Sequence, residues 1–274
     1  MSSLVFFLVL LCELWLMVRA HRIDSFTIFV ALALGWIVAW AVLGRRLHFG
    51  RPKQSFLSLE PEYWREHWKY SKWVFATAFV FQFTQQGYYW VVGAFLSAPE
   101  VANLRAIYLL VGPIEQIFIA LSYLIVPALA ARYAAKEMHQ FLSIWKRYAL
   151  ATVGVSALYA LATRIAGKYV VHTLYAGKYD GLAPYLFTLT FVPLVLWVGT
   201  TMGHALNSVE KPKFQFWAFV VGAGATFLLG IPLVIRFGLW GAVYGMLLSS
   251  GTYTLTLAIG FLLMYRDTMQ NRAL

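Results

Sequence analysis

Charged residues and cysteines are scarce in this sequence. Only 12% of its 274 residues are Asp, Glu, Lys or Arg, against roughly 25% in an average soluble domain. The single cysteine, Cys12, excludes an intramolecular disulfide and a thiolate cluster. Hydrophobic residues instead make up 61% of the chain, and the mean hydropathy is +0.69. This composition indicates an all-α integral membrane protein.

Sequence motifs of enzymes and metal sites are also missing. There is no HExxH or G-x-S-x-G motif, and the segment GAGATF at 222–227 has Phe227 where a dinucleotide loop needs a small residue. No two carboxylates share one helical face within an apolar run. Because catalysis needs converging acids, bases or metal ligands, the sequence predicts no enzyme, no cofactor and no metal site.

Long apolar runs fill most of the chain. A helix needs about 20 mostly apolar residues to cross roughly 30 Å of hydrocarbon. About eight runs are long enough, so no room is left for a sizeable soluble domain. The predicted spans are 2–18, 25–44, 73–97, 106–131, 143–164, 182–207, 214–235 and 239–265.

The basic residues fall mainly on one side of the predicted spans. A net charge of +11 would suggest nucleic acid as the partner of a soluble protein. Here 15 of the 22 Lys and Arg residues lie on the side that holds both termini. The positive-inside rule therefore predicts cytoplasmic termini, and no nucleic-acid partner is expected.

A basic linker separates the first two predicted spans from the other six. Its second part begins at Pro61 and carries Trp64 and Trp68 four residues apart. Because tryptophan anchors at headgroup depth, this part is predicted to be an interfacial helix that contacts membrane lipids. The predicted regions are two spans at 1–44, the linker at 45–72, six spans at 73–265 and a cytoplasmic tail at 266–274.

Three glutamines interrupt the third predicted span. Gln82, Gln85, Gln86 and Tyr89 lie within about a third of the helix circumference at roughly 100° per residue. An unpaired amide in hydrocarbon costs several kcal/mol, so this stripe should not face lipid. Two interpretations remain open: hydrogen bonds to other helices, or the lining of a hydrophilic substrate cavity.

Glu115 lies near the middle of the fourth predicted span. A carboxylate there costs about 2.5 to 3.5 kcal/mol on insertion scales, which favours a function. Tyr108 shares its helical face. Arg105, toward the external end, is a partner for an anionic group or an anchor at the interface. A structural alternative is a protonated Glu115 that bonds one of the glutamines.

A second polar cluster is predicted in the sixth span. Thr200, Thr201, His204 and Asn207 gather toward its cytoplasmic end. Capping at the interface and ligand binding both explain such a cluster.

Three stretches have a familiar sequence texture, at residues 70–136, 174–217 and 231–250. They contain a Phe-Gly-Leu-x-Gly-Ala turn at 237–242, a Gly-x-Tyr turn at 177–179, and Pro127 at the end of the fourth predicted span. In these features the chain resembles the polysaccharide flippases of the multidrug/oligosaccharidyl-lipid/polysaccharide exporter superfamily.

The resemblance implies a fold and a function. Family members have two six-helix halves around a polar or cationic cavity and move lipid-linked oligosaccharides across the bacterial inner membrane. Residues 70–265 look like the second half and residues 1–44 like the last two helices of the first half, so four helices are missing. A second copy, or a missing N-terminal half, is then the expected partner. The glutamine stripe would face the cavity, and Glu115 would be a candidate for proton coupling.

Two other functions remain open from the sequence. A membrane-integral glycosyltransferase or polymerase would act on the same substrates, but it should have a long external loop of polar catalytic residues. The longest external connection here, about 165–181, is short. A non-transporting, truncated membrane subunit is the third interpretation.

Overall fold

The structure, a computed structural model, describes Trp15, Arg19, residues 25–46 and residues 61–270. The described part is helical and contains no strand. The chain divides into two compact units, Met1–Trp64 and Arg65–Leu274. The first predicted span with Cys12, apart from Trp15, residues 47–60 of the basic linker and the last four residues lie outside the described residues.

The helices are numbered in chain order. In the first unit, α1 is Ser25–Arg46. The helix α2, Pro61–Phe95, begins there and continues through the second unit. The others are α3 Ala98–Leu109, α4 Gly112–Ala134, α5 Met138–Tyr175, a 3₁₀ turn Asp180–Leu182, α6 Ala183–Leu189, α7 Phe191–Ser208, α8 Lys213–Ala225, a π-helical segment Thr226–Gly230, α9 Ile231–Phe237 and α10 Leu239–Gln270.

Five stretches of the described chain are long and apolar enough to cross a membrane, not eight. They are Gly112–Ala134, Met138–Tyr175, Asp180–Ser208, Lys213–Phe237 and Leu239–Arg266, and they match the fourth to eighth predicted spans. The protein is therefore an all-α membrane protein. Of the other described spans, α1 has a shorter apolar stretch at 29–42. In α2, the glutamines and tyrosines reduce the hydropathy of the predicted span.

The predicted interfacial helix is not a separate element. Residues 61–72 belong to α2, which runs without interruption through Phe95 and would extend about 52 Å at 1.5 Å per residue. That is longer than the roughly 30 Å of a hydrocarbon core. The helix is continuous because no helix-breaking residue lies between Pro61 and Gly87, and the interfacial position of residues 61–72 stays a prediction.

The fourth predicted span is broken rather than continuous. The helix α3 ends at Leu109 and α4 begins at Gly112. Pro113 lies in the first turn of α4, where a proline's missing N–H and fixed φ are tolerated. The tyrosines of α5 satisfy carbonyls near the break: Tyr159 donates to Leu110, and Tyr175 donates to Ala106 at 2.7 Å. The neighbouring helix thus satisfies exposed backbone acceptors, as hydrocarbon requires.

Proline also interrupts the sixth and seventh predicted spans. Thr190 separates α6 from α7 shortly before Pro193, and the π-helical segment ends just before Pro232. A proline removes a hydrogen bond to the preceding turn and clashes with that turn's carbonyl, so the chain changes its winding there. The predicted helices exist, with a break or a change of winding near these prolines.

Two hydrophobic clusters form the core of the second unit. One gathers the starts of α4 and α10, with Val111, Ile114 and Val243. The other gathers their far ends, with Leu129 and Leu257. Because these clusters lie toward opposite ends of the same helices, the middle of the helix assembly is left for polar side chains.

Glycine permits the closest helix contacts. A Cβ at Gly199 would lie 2.8 Å from the Thr254 Cα, and one at Gly241 would overlap the carbonyl oxygen of Leu233. Small residues of this kind allow membrane helices to approach backbone to backbone. The positions of α7 and α9 against α10 therefore depend on these two glycines.

Candidate functional site

A cavity of about 700 Å³ lies within the second unit. Its volume is within the range of small-molecule sites. It is lined by residues of α2, α3, α4, α7, α8, the π-helical segment and α10. Side chains from seven helical segments therefore surround a space that is large enough for a ligand.

The cavity is long along α2. Its lining on that helix extends from Tyr70 to Tyr89, which corresponds to about 28 Å at 1.5 Å per residue. A hydrocarbon core is roughly 30 Å thick. The lining along α2 is therefore nearly as long as a hydrocarbon core is thick.

The predicted amide stripe is divided by the structure. Gln85 and Gln86 line the cavity beside Tyr89. Gln82 is exposed and does not line the cavity. At about 100° per residue, Gln82 lies between Gln85 and Gln86 around the helix, so its different position depends on the neighbouring helices and not on its angle alone. Gln82 therefore lies outside the cavity lining, and a role for it in substrate binding stays a prediction.

Glu115 is paired with a tyrosine at the cavity wall. The Tyr108 hydroxyl donates to Glu115 Oε1 at 2.8 Å, and both side chains line the cavity and are half-buried. The break between α3 and α4 brings these two residues together. The bond leaves the second carboxyl oxygen of Glu115 available to another donor.

Arg105 lies beside the same part of the cavity. Its guanidinium carbon is 5.6 Å from the centre of the Tyr89 ring, within the range of a cation–π contact. Arg105 is exposed and lines the cavity. Together with Tyr108, Tyr89 and Glu115 it forms a polar end of the cavity, which contains one cation and one carboxyl group.

A second polar end is built from α7, α8 and α10. Thr200 and Asn207 line the cavity there. Thr200 Oγ1 is 3.4 Å from the Tyr253 hydroxyl, and the Asn207 amide donates to Gln215 Oε1. Tyr253 and Gln215 also line the cavity. The sequence could not predict that Tyr253 and Gln215 belong to this wall, because only helix packing brings α7, α8 and α10 together there.

His204 is not part of the cavity wall. Its ring stacks on Tyr148 at 6.0 Å with an interplanar angle of 12°, and its Nδ1 is 3.4 Å from the Tyr148 hydroxyl. Thr201 is buried, and its hydroxyl donates to the Val198 carbonyl. The predicted cluster of α7 is therefore split: Thr200 and Asn207 face the cavity, while His204 and Thr201 pack elsewhere.

Two buried polar atoms of cavity residues have no hydrogen-bond partner within the described chain. They are Trp197 Nε1, a donor, and Asn207 Oδ1, an acceptor. Buried polar atoms normally find a partner in protein or water.

The sequence did not indicate a buried hydroxyl network at the cavity. The Tyr88 hydroxyl is 2.9 Å from Ser249 Oγ, which is 3.0 Å from Thr226 Oγ1. These bonds connect α2 to α10 and the π-helical segment beside the cavity wall. A π-helical segment with a buried hydroxyl is a frequent feature of functional sites, but serine and threonine alone are too common to predict one.

No three His, Cys, Asp or Glu side chains come together as metal ligands in the described ranges. No protein-family model, curated protein or solved structure matches this chain. A proposal for the function therefore rests on the cavity and on the sequence patterns of this chain.

Proposed function

We propose that this chain flips or exports lipid-linked oligosaccharide for the synthesis of a cell-surface polysaccharide such as O-antigen, capsule or exopolysaccharide. The observation that carries the proposal is the long cavity among the membrane helices, with amides and hydroxyls on its wall. A channel of this length would let a polar glycan pass without exposing its hydroxyls to hydrocarbon. The protein is then a transporter and not an enzyme.

The cavity wall is chemically suited to carbohydrate. Gln85, Gln86, Thr200 and Asn207 present amide and hydroxyl groups, which both donate and accept hydrogen bonds. Sugar hydroxyls also do both. A neutral wall of this kind binds glycan without the strong desolvation penalty of several fixed charges. Tyr89, Trp197 and Phe81 add aromatic surface against which sugar rings can pack.

The sequence resemblance to polysaccharide flippases supports the same substrate class. It covers α2 to α10 and includes the turn at 237–242, where Gly238 has a positive φ of 58° and begins the sharp reversal into α10. We therefore place the protein in the bacterial inner membrane. A missing N-terminal half or a second copy would complete the enclosure.

The proposed topology has eight spans with both termini in the cytoplasm. The eight spans would be the five apolar stretches together with α1, α2 and the run at 2–18. The amides would make α2 acceptable in the membrane because they face a cavity or another helix rather than lipid. The distribution of 15 of the 22 basic residues sets the orientation.

Deletion of the gene tests the proposal. Cells that lack the protein are expected to accumulate finished lipid-linked oligosaccharide on the cytoplasmic leaflet and to lose surface glycan. Restoration of the gene should reverse both effects. The measurement is leaflet-resolved quantification of polyprenyl-linked oligosaccharide. A normal distribution with full surface glycan in the deleted strain would contradict a transport role.

A Glu115→Gln variant is expected to lose the pH dependence of transport. The substitution keeps the shape of the side chain and its ability to accept from Tyr108, but it cannot exchange a proton. The rate should fall about a hundredfold or more if a proton is coupled, in the usual range of general acid–base contributions. The measurement is transport into vesicles under an imposed pH gradient. A Glu137→Gln variant, at an exposed ion pair with Arg132, is the control and should transport normally.

A further inference from the structure

A regularly spaced stripe of side chains runs along α2, and all of them are exposed except the half-buried Gln86. Trp68, Phe75, Phe79, Gln82 and Gln86 follow one another at spacings of seven, four, three and four residues. This is the a/d spacing of a coiled-coil contact. The rings of Trp68, Phe75 and Phe79 are 62%, 74% and 64% exposed. We call these five residues the α2 seam.

The aromatic part of the α2 seam could face lipid, but Gln82 could not. Gln82 is exposed and makes no hydrogen bond within the described chain. It lies about 21 Å along the helix from Trp68 at 1.5 Å per residue and near the middle of the predicted span. Because an unpaired amide in hydrocarbon is strongly unfavourable, the seam requires a partner that both donates and accepts hydrogen bonds.

We propose that the partner is a second copy of this chain, packed along the α2 seam with the two α2 helices nearly parallel. Two copies with the same membrane orientation are related by a twofold axis normal to the bilayer, so each seam residue faces its own counterpart. The amide of Gln82 then meets an amide. Each amide supplies a donor and an acceptor, so the contact is self-complementary.

The described helix of the first unit, α1, carries few groups that could pair with an amide. Residues 25–46 contain no amide and no carboxylate, and their only hydroxyls are at Ser25 and Thr27 in the first turn of α1. The rest of α1 is aliphatic, aromatic or glycine up to Arg45. It therefore offers Gln82 no acceptor at membrane depth. An identical α2 offers both kinds of hydrogen-bonding group in the correct register.

The α2 seam borders the cavity. Gln86 belongs to both, since it has seam spacing and also lines the cavity wall. A second copy on the seam would therefore cover the side of α2 that adjoins the cavity. The inference stands on the helix surface alone and does not require the proposed transport function.

Disulfide trapping in native membranes tests the seam. The full chain with Cys12→Ser, which removes the only cysteine, receives one new cysteine at a time: Gln82→Cys, Gln86→Cys or Phe83→Cys. Phe83 is next to Gln82 and 38% exposed, but it points about 100° away around the helix. After oxidation, covalent dimer should form at least about fivefold more at positions 82 and 86, where parallel seam positions reach disulfide distance.

Three outcomes would overturn the proposal. Equal dimer formation at all three positions would indicate random collision. If the Gln82→Cys variant stays entirely monomeric, the α2 seam is not the contact between two copies. Residues 25–46 would then cover it, or the chains would associate through another face. The third outcome concerns two differently tagged copies of the chain. If they co-purify equally well with and without the double substitution Gln82→Leu and Gln86→Leu, the amides do not stabilise the dimer. We expect about a tenfold loss of co-purification, since each interhelical amide bond contributes modestly.

Discussion

Replacing Gln85 and Gln86 together by leucine is expected to reduce export at least about tenfold while membrane insertion is retained or improved. Both amides line the cavity, and neutral hydrogen bonds to a ligand contribute about 0.5 to 1.5 kcal/mol each. Loss of two such bonds at the middle of that range, about 2 kcal/mol together, corresponds to roughly 30-fold. The measurement is surface glycan, normalised to the amount of protein in the membrane, in a strain that depends on the variant.

The chain offers a matched control for this experiment. Gln116 is also an amide in a membrane-crossing helix, but it is exposed and does not line the cavity. Gln116→Leu should therefore leave export unchanged. If the double variant exports normally, the cavity is not the path of the glycan. If the control loses export to the same extent, the effect reflects hydrophobicity and not the cavity.

A Gly241→Ala substitution is expected to destabilise the protein severely. The added methyl group would overlap the carbonyl oxygen of Leu233, and it would also approach the backbone nitrogen of Val234 at 2.7 Å. Backbone atoms cannot swing away as the end of a side chain can, so α9 and α10 must separate. Overpacking usually costs about 1 to 3 kcal/mol and occasionally more. We expect the upper part of that range, measured as a lower apparent unfolding temperature in detergent.

Gly251→Ala is the control for Gly241→Ala on the same helix. A Cβ at Gly251 would meet no atom within 4 Å. Alanine is favoured over glycine in a helix interior by about 1 kcal/mol, so this variant should be as stable as the parent or slightly more stable. Equal stability of the Gly241 and Gly251 variants would contradict the close contact between α9 and α10.

The hydrophobic pattern predicted most of the helical architecture of the described chain. The last five predicted spans agree with the five apolar stretches to within a few residues, except that α5 is longer at both ends. Membrane crossing depends on local composition over about 20 residues, which the sequence contains directly. The breaks at Leu110, Thr190 and the π-helical segment were less accessible, because tertiary packing decides whether a proline kinks, ends or merely rewinds a helix.

The sequence alone determined that polar groups occur in apolar helices and that Gln82, Gln85 and Gln86 share a third of one helix surface. Only the tertiary structure decided which of them faces the cavity, because helical periodicity defines angles around an axis and not the neighbours on each side. Gln85 and Gln86 line the cavity while Gln82 points outward. Gln215 and Tyr253 also became part of the site only in the tertiary structure. Their helices contact α7 through residues that are far apart in sequence, which helical periodicity does not predict.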